Sequence, residues 1–412
     1  MNKNVLILLS VVGAKSLFGQ ISTIQLGGVT TTINPITTAV PFLLISPDSK
    51  QGGMADVGAA TDPDVNSIHW NGSKLAFADK QYGVGLTATP WLRSLVPDIF
   101  LYYLTGYAKI NDKQTVGGSL RYFTLGNIEL TDATGTRTGN FKPNEFALDL
   151  AFSQKLSKNF SLGIAGRFIN SSISRVYFQG NSGNAASTVA VDLSMYYRSD
   201  KFKLGTKKAV ASGGLAITNM GAKIKYSNDQ NFIPINMRLG GGLKVDIDEY
   251  NTFGAYLDFN KLLVPSPPVY KYKLDSAGNK TTEILTDGAT GEKLIEKGKN
   301  PNVDVVTGML QSFSDAPFGF KEEMQEININ TGFEYCYNNI LSARTGYFYE
   351  SIKKGGRQYF TIGIGMKLKV ITIDGSYLIP TSLRNPLQNT WRISLSFYFD
   401  KAKGDEKEPA QP

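Results

Sequence analysis

The chain is short of the residues that most enzyme and metal chemistries use. It has one cysteine, Cys336, and one histidine, His69, in 412 residues. One cysteine excludes an intrachain disulfide framework and a cysteine-rich metal site. One histidine excludes a multi-histidine zinc site and leaves a single position for imidazole acid–base chemistry. No Gly-x-Ser-x-Gly elbow occurs. The expectation is therefore no catalytic, cofactor-binding or metal site. Charge is also scarce, with 19% charged residues against roughly 25% in ordinary soluble chains. The net charge is +8, but the basic residues are spread out and mixed with acids. Without a basic cluster interleaved with aromatics, nucleic acid is not an expected partner; an acidic surface such as lipid headgroups is compatible with the excess. Beyond the first twenty residues no run of about 18 apolar residues exists, so no transmembrane helix is expected.

What is plentiful is glycine (42), tyrosine (20) and phenylalanine (23). Disordered chains lack aromatics. Low charge with many Gly, Tyr and Phe residues suits an all-β chain whose sheet has one wet and one greasy face.

Residues 1–19 read as a signal peptide: Lys3 precedes an apolar core from Val5 to Ala14, and Ser16 to Gln20 supply small residues near a cut after Gly19. The apolar core is too short to span a bilayer. From residue 81 onward period-2 alternation dominates. Leu148, Leu150 and Phe152 alternate with Asp149, Ala151 and Ser153; Ile362, Ile364 and Met366 alternate with Gly363, Gly365 and Lys367. Alternate side chains point to opposite faces. The segments run about 10–15 residues, longer than the usual 5–6, which favours a transmembrane antiparallel β-barrel over a soluble sandwich. Fourteen strands are expected, near 81–91, 98–110, 114–130, 143–156, 160–173, 186–199, 208–226, 235–248, 251–265, 323–338, 340–351, 357–368, 370–380 and 389–399. Tight joins such as Asn338-Asn339 alternate with long ones, apart from a longish join at 200–207 on the short side. Short turns belong to the periplasm and long loops to the cell surface, with both termini periplasmic. The run Arg392-x-Ser394-x-x-Phe397-x-Phe399 fits a terminal outer-membrane strand, and 400–412 is a polar periplasmic tail.

Residues 20–80 do not alternate. They contain Asn34-Pro35-Ile36-Thr37, the glycine-rich Lys50-Gln51-Gly52-Gly53-Met54-Ala55-Asp56-Val57-Gly58, then Asp62-Pro63-Asp64 and Ile68-His69-Trp70-Asn71. On these residues, with the leader, the fourteen strands and the terminal aromatic strand, the chain resembles the PorV family, outer-membrane shuttle proteins of type IX secretion within the FadL-like barrel group. The resemblance implies a FadL-like barrel with 20–80 as a plug. It also implies the family's partners: the giant translocon barrel (SprA/Sov type), secreted cargo C-terminal domains, the PorU-type sortase and attachment complex, and outer-membrane lipid and lipopolysaccharide. Transporters of the wider group typically carry Asn-Pro-Ala where this chain has Asn71-Gly72-Ser73, which counts against a channel for hydrophobic small molecules. That channel is the alternative reading, and Gly240-Gly241-Gly242 would be its place for a strand kink. A barrel deacylase is a third reading, weakened because His69 lies in the plug rather than at the lipid edge.

Asp149, Arg167, Asp192, Arg238, Lys244, Asp258, Glu334, Arg344, Asp374 and Arg392 fall on the lumen face. Both signs are present, so paired ions bracing the plug are expected rather than a selective pore lining. Cys336 alternates inward as an inert thiol. The loop 266–322 is the candidate partner-binding element. In it Val303, Val306, Leu310 and Phe313 are spaced for one face of a short helix with Asn302 as cap, and Phe318 and Phe320 continue the apolar character. A lid over the barrel mouth would use the same residues.

Overall fold

The computed structural model describes residues 22–400, apart from 27–28, 132–133, 174–176, 179–180, 183–184, 227–229 and 383–384. The expected signal peptide and nearly all of the polar tail lie outside the described residues. Among the described residues fourteen long strands form the wall: β1 (Tyr82–Pro90), β2 (Phe100–Lys109), β3 (Gln114–Thr124), β4 (Asn144–Lys155), β5 (Phe160–Ser171), β6 (Ala186–Arg198), β7 (Lys207–Gly221), β8 (Asn236–Asp246), β9 (Asn251–Leu262), β10 (Ile327–Tyr337), β11 (Leu341–Tyr349), β12 (Gln358–Lys367), β13 (Ile371–Pro380) and β14 (Trp391–Phe399). Each pairs antiparallel with the next, and β14 pairs with β1, so the sheet closes on itself.

The alternation in sequence becomes two faces of this wall. Leu148, Leu150 and Phe152 of β4 are exposed, whereas Asp149, Ala151 and Ser153 are buried inside. The same split recurs on β5, β6, β9 and β12, giving an outward apolar surface far larger than a water-soluble monomer tolerates. Exposed tyrosines stand near both rims, Tyr102, Tyr122 and Tyr349 at one and Tyr250, Tyr335 and Tyr337 at the other, as girdles of a lipid-facing band do. The chain is a closed fourteen-stranded transmembrane β-barrel. No helix of the described residues is long and apolar enough to cross a membrane.

The joins follow from local chemistry. Asn338 and Asn339 both take positive φ (53° and 51°), and Ile340 N donates to Tyr337 O at 3.0 Å, closing a tight primed turn that asparagine tolerates. The longish 200–207 join is itself a small hairpin, Phe202–Leu204 pairing back onto the start of β7. Three expected strands are several residues shorter than the sequence suggests. β7 ends at Gly221 rather than 226, and Ile224–Lys225 pairs separately with Gln230–Asn231. β3 stops at Thr124 and the chain then makes a separate hairpin, Ile128–Thr131 against Arg137–Phe141. β10 starts at Ile327, because the preceding residues are helical. The glycine run of β8 does not kink: β8 pairs residue for residue with β7 and β9. A Cβ at Gly240 would lie 2.0 Å from Asp258 Oδ1 and 2.8 Å from the Ala59 Cβ, so this glycine lets the interior chain approach the wall.

That interior chain is residues 34–80 rather than the whole of the expected 20–80, because Ser22–Leu26 and Val29–Ile33 pair with each other as a hairpin ahead of it; it includes two single-turn helices, α1 (Ser49–Gly52) and α2 (Ser67–Trp70). Asn34 hydrogen-bonds Lys353 O and Pro267 O at the long-loop mouth, whereas Lys80 pairs with Asp400 at the short-turn mouth. The segment therefore runs the length of the lumen and enters from the long-loop side, not from the periplasmic side expected for the N-terminal end. Along the way it bonds to β2 through β10, β12 and β14, for example Thr105 Oγ1 to Val65 O, Ser153 Oγ to Gly72 O and Ala55 N to Thr361 Oγ1. Most of the inward ions are paired as expected: Arg167 with Asp149 and Asp192, Arg344 with Glu334 and Asp374, and Lys244 with the plug's Asp62. Arg392 is the exception, donating instead to the backbone Ser46 O. Asp258 accepts from the amides of Gly58 and Ala59 at 2.7 and 2.9 Å and faces Arg238 at 3.5 Å, whose guanidinium lies over the Trp70 ring.

Replacing Asp258 with Ala strips two plug amides of their acceptor and leaves the half-buried Arg238 without its counter-ion. The expected loss is about 3 kcal/mol. Asp258→Asn keeps an acceptor and is expected to cost less. Urea unfolding in detergent micelles measures both.

Candidate functional site

The long loop between β9 and β10 stands on the barrel mouth. Its first part is polar: Val269–Tyr270 pairs with Ile295–Lys297, and Tyr272–Leu274 with Lys280–Ile284. Exposed ion pairs, Lys273 with Glu283 and Lys280 with Glu296, lie on this part and add little to stability in water. Its second part carries two short helices, α3 (Val305–Gln311) and α4 (Phe320–Gln325).

α3 is capped by Asp304, not Asn302: the Asp304 carboxylate accepts from Thr307 N at 3.0 Å. One face of α3 grips the barrel top. Val305 and Met309 pack against a core of Val40, Phe42, Leu101, Ile233 and Val264. Gly308 touches Phe232 of the β7–β8 loop so closely that a Cβ there would lie 2.6 Å from the ring. The opposite face is the unusual one. Val306 is 65% and Leu310 70% exposed, and Phe313, Phe318 and Phe320 are exposed with them, Phe320 at 78%. Val303 precedes the helix and is half-buried, apart from that face. The structure thus places five of the six residues expected for partner contact on exposed positions of one loop. Met324, four residues after Phe320 on α4, is exposed as well. The expected strand 323–338 hides Met324 from a sequence reading, although the i, i+4 spacing of two apolar residues is its signal.

Beside α3 lies a cleft of about 920 Å³, lined by Lys223, Phe232, Pro265, Tyr270, Glu292 and Asn302 among others. Its walls are of mixed polarity. Deeper in the barrel a void of about 10 Å³ lies beside Ile68, Asn71 and Ile164. Asn71-Gly72-Ser73 serves as an anchor to that wall. The Asn71 amide donates to Ala59 O and Met195 O, and its oxygen accepts from Ser73. His69 is engaged in the plug: its Nδ1 lies 2.7 Å from Arg121 Nη2 and its ring edge meets Trp70. Because an arginine only donates, Nδ1 is the acceptor and the imidazole is neutral. Cys336 is half-buried on the inward row of β10.

The family model described as type IX secretion system protein PorV matches residues 29–269. No curated protein matches the chain. Among solved structures, the chain is similar to a deletion mutant of the TodX monoaromatic hydrocarbon channel at 14% identity, covering 85% of this chain and 99% of that one, with a TM-score of 0.46. The Ralstonia pickettii toluene transporter TbuX matches at 10% identity, 85% and 98% coverage and a TM-score of 0.42. A Pseudomonas aeruginosa FadL homologue matches at 11% identity, 89% and 99% coverage and a TM-score of 0.41. The family match spans more than half of the residues, and with the closed lipid-facing barrel it leads to one conclusion: the chain is an outer-membrane β-barrel that belongs to the PorV family of type IX secretion system proteins.

Proposed function

We propose that this barrel is a non-enzymatic docking and shuttle component of type IX secretion. It receives secreted cargo by the cargo's C-terminal signal domain at the giant translocon barrel and hands it to the sortase-type attachment complex at the cell surface. The observation that carries this reading is the contrast between the two parts of the molecule. A hydrogen-bonded segment, residues 34–80, runs through the lumen from one mouth to the other, while the loop at the long-loop mouth leaves Val306, Leu310, Phe313, Phe318 and Phe320 exposed. Rigidly seated apolar and aromatic side chains at an exposed site are what a protein partner buries. In this reading the long-loop mouth faces the outside, and the loop's apolar face meets the translocon or its cargo. Val303 stands at the margin of that contact.

The channel reading rests on the 920 Å³ cleft beside α3 as an outer ligand site. Such a ligand would still need a way past the plug.

Two outcomes follow. In planar lipid bilayers the purified protein is expected to give no stable open-pore conductance; a large, steady conductance would overturn the stoppered reading. Leu310→Asp and Phe320→Asp, at exposed positions, are expected to leave the unfolding midpoint unchanged. The same changes should reduce co-purification of translocon or cargo about tenfold, which corresponds to ~1.4 kcal/mol. Unchanged co-purification in the double variant removes the loop assignment.

A further inference from the structure

Behind the apolar face of the loop is a buried group of acids. Among the described residues, Asp315, Glu323 and Glu326 each offer a carboxylate oxygen, and these atoms all lie within 4.8 Å of one another. All three residues are buried, Asp315 being 1% exposed. Asp315 lies in the turn between α3 and α4, Glu323 lies on α4, and Glu326 directly precedes β10. The buried Glu322 of α4 adjoins them. Two ammonium groups reach this cluster. Lys261 at the end of β9 lies 2.5 Å from Glu326 and 3.3 Å from Glu323, and Lys354 of the β11–β12 loop lies 2.6 Å from Glu322 and 2.9 Å from Glu326.

The charges do not balance. Four buried carboxylates face two ammoniums, and uncompensated charge in a dry site is strongly disfavoured. The deficit centres on Asp315. Its Oδ2 accepts from Ser266 N at 3.1 Å, its Oδ1 has no hydrogen-bond partner, and neither lysine is within ion-pair distance of it. Burial pushes its carboxyl up to about 6, and the charges of Glu326 and Glu323 add to this against the lowering effect of the Ser266 amide.

We propose that Asp315, Glu323 and Glu326 bind one divalent cation, with calcium the best fit. The donors are all oxygen, the preference of a hard cation. Oxygens bound to one calcium at about 2.3–2.6 Å lie at most ~5 Å apart, which is the span these three occupy. A charge of +2 supplies what the two lysines leave uncovered. Carboxylates that bind in mono- or bidentate fashion suit calcium's loose geometry better than the strict octahedron of magnesium. The ion would join the α3–α4 turn to the start of β10, while Lys261 and Ser266 tie the same cluster to the outer end of β9. It would fix the helices that display Leu310 and Phe320, whatever partner meets them.

The test uses the full-length protein in detergent micelles, stripped with a chelator and titrated with calcium chloride by calorimetry. Co-purifying lipopolysaccharide binds divalent cations too, so Asp315→Asn is titrated in parallel. The asparagine retains an acceptor for Ser266 N and removes the charge. The expected result is one saturable calcium per chain that weakens at least tenfold in Asp315→Asn, with calcium raising the unfolding midpoint of the parent protein only. If Asp315→Asn fails to fold, Glu323→Gln replaces it with the same expectation. No saturable binding, or equal binding by parent and variant, overturns the site. So does a variant that is stabilised without calcium while the parent binds none, because the excess charge is then carried by a proton.

Discussion

Every part of this molecule depends on how the polar lumen of the barrel is satisfied. The wall presents buried Ser, Thr, Asp and Arg side chains inward, and each needs a partner once water is displaced. Residues 34–80 supply those partners largely with their own backbone: Val65 O to Thr105, Gly72 O to Ser153, Ser73 O to Ser161, and the Gly58 and Ala59 amides to Asp258. Where the plug offers nothing, the wall pairs with itself, as in Arg167 between Asp149 and Asp192. The loop between β9 and β10 lies outside this network of lumen partners, on the barrel mouth.

Much of the wall was legible in the sequence because its rule is local. Leu148-Asp149-Leu150 declares two faces within three residues, and Asn338-Asn339 declares a tight turn within two. The failures were equally physical. Residues 320–325 form a helix of less than two turns, too short to show a helical period beside the alternation of β10. Phe232, which seats α3, lies in a different loop, and no spacing rule connects it to Gly308. The path of the plug was illegible for the same reason: Ser49 finds Ser394, 345 residues away. The apolar residues of the loop were visible as a pattern, but which of them face outward was set by that unseen seat.

The loop itself joins two opposed requirements. Val305, Gly308 and Met309 hold one side of α3 to the barrel top, so that the helix does not need a partner to stay in place. Val306 and Leu310 occupy the other side of the same turns. A short helix has little stability of its own; here tertiary contact on one face maintains it while the other remains available. Lys261 near the Phe313 ring and Lys297 near the Phe318 ring place cations beside those aromatics, which tempers the apolar surface without covering it.

The direction of the interior segment bears on how the barrel is put together. Residues 34–80 begin among the long loops, pass down the lumen and lead at the opposite rim directly into β1, whose other edge joins β14. The β1–β14 pairing joins the first strand to the last and is the natural seam of the cylinder. If that seam zips last, the segment is enclosed where it already lies, like a thread around which a sleeve is fastened. If the cylinder formed first, a free end would have to be drawn through a passage that side chains would already crowd. The order of strand closure is thus tied to the position of forty-odd residues that are not strands at all.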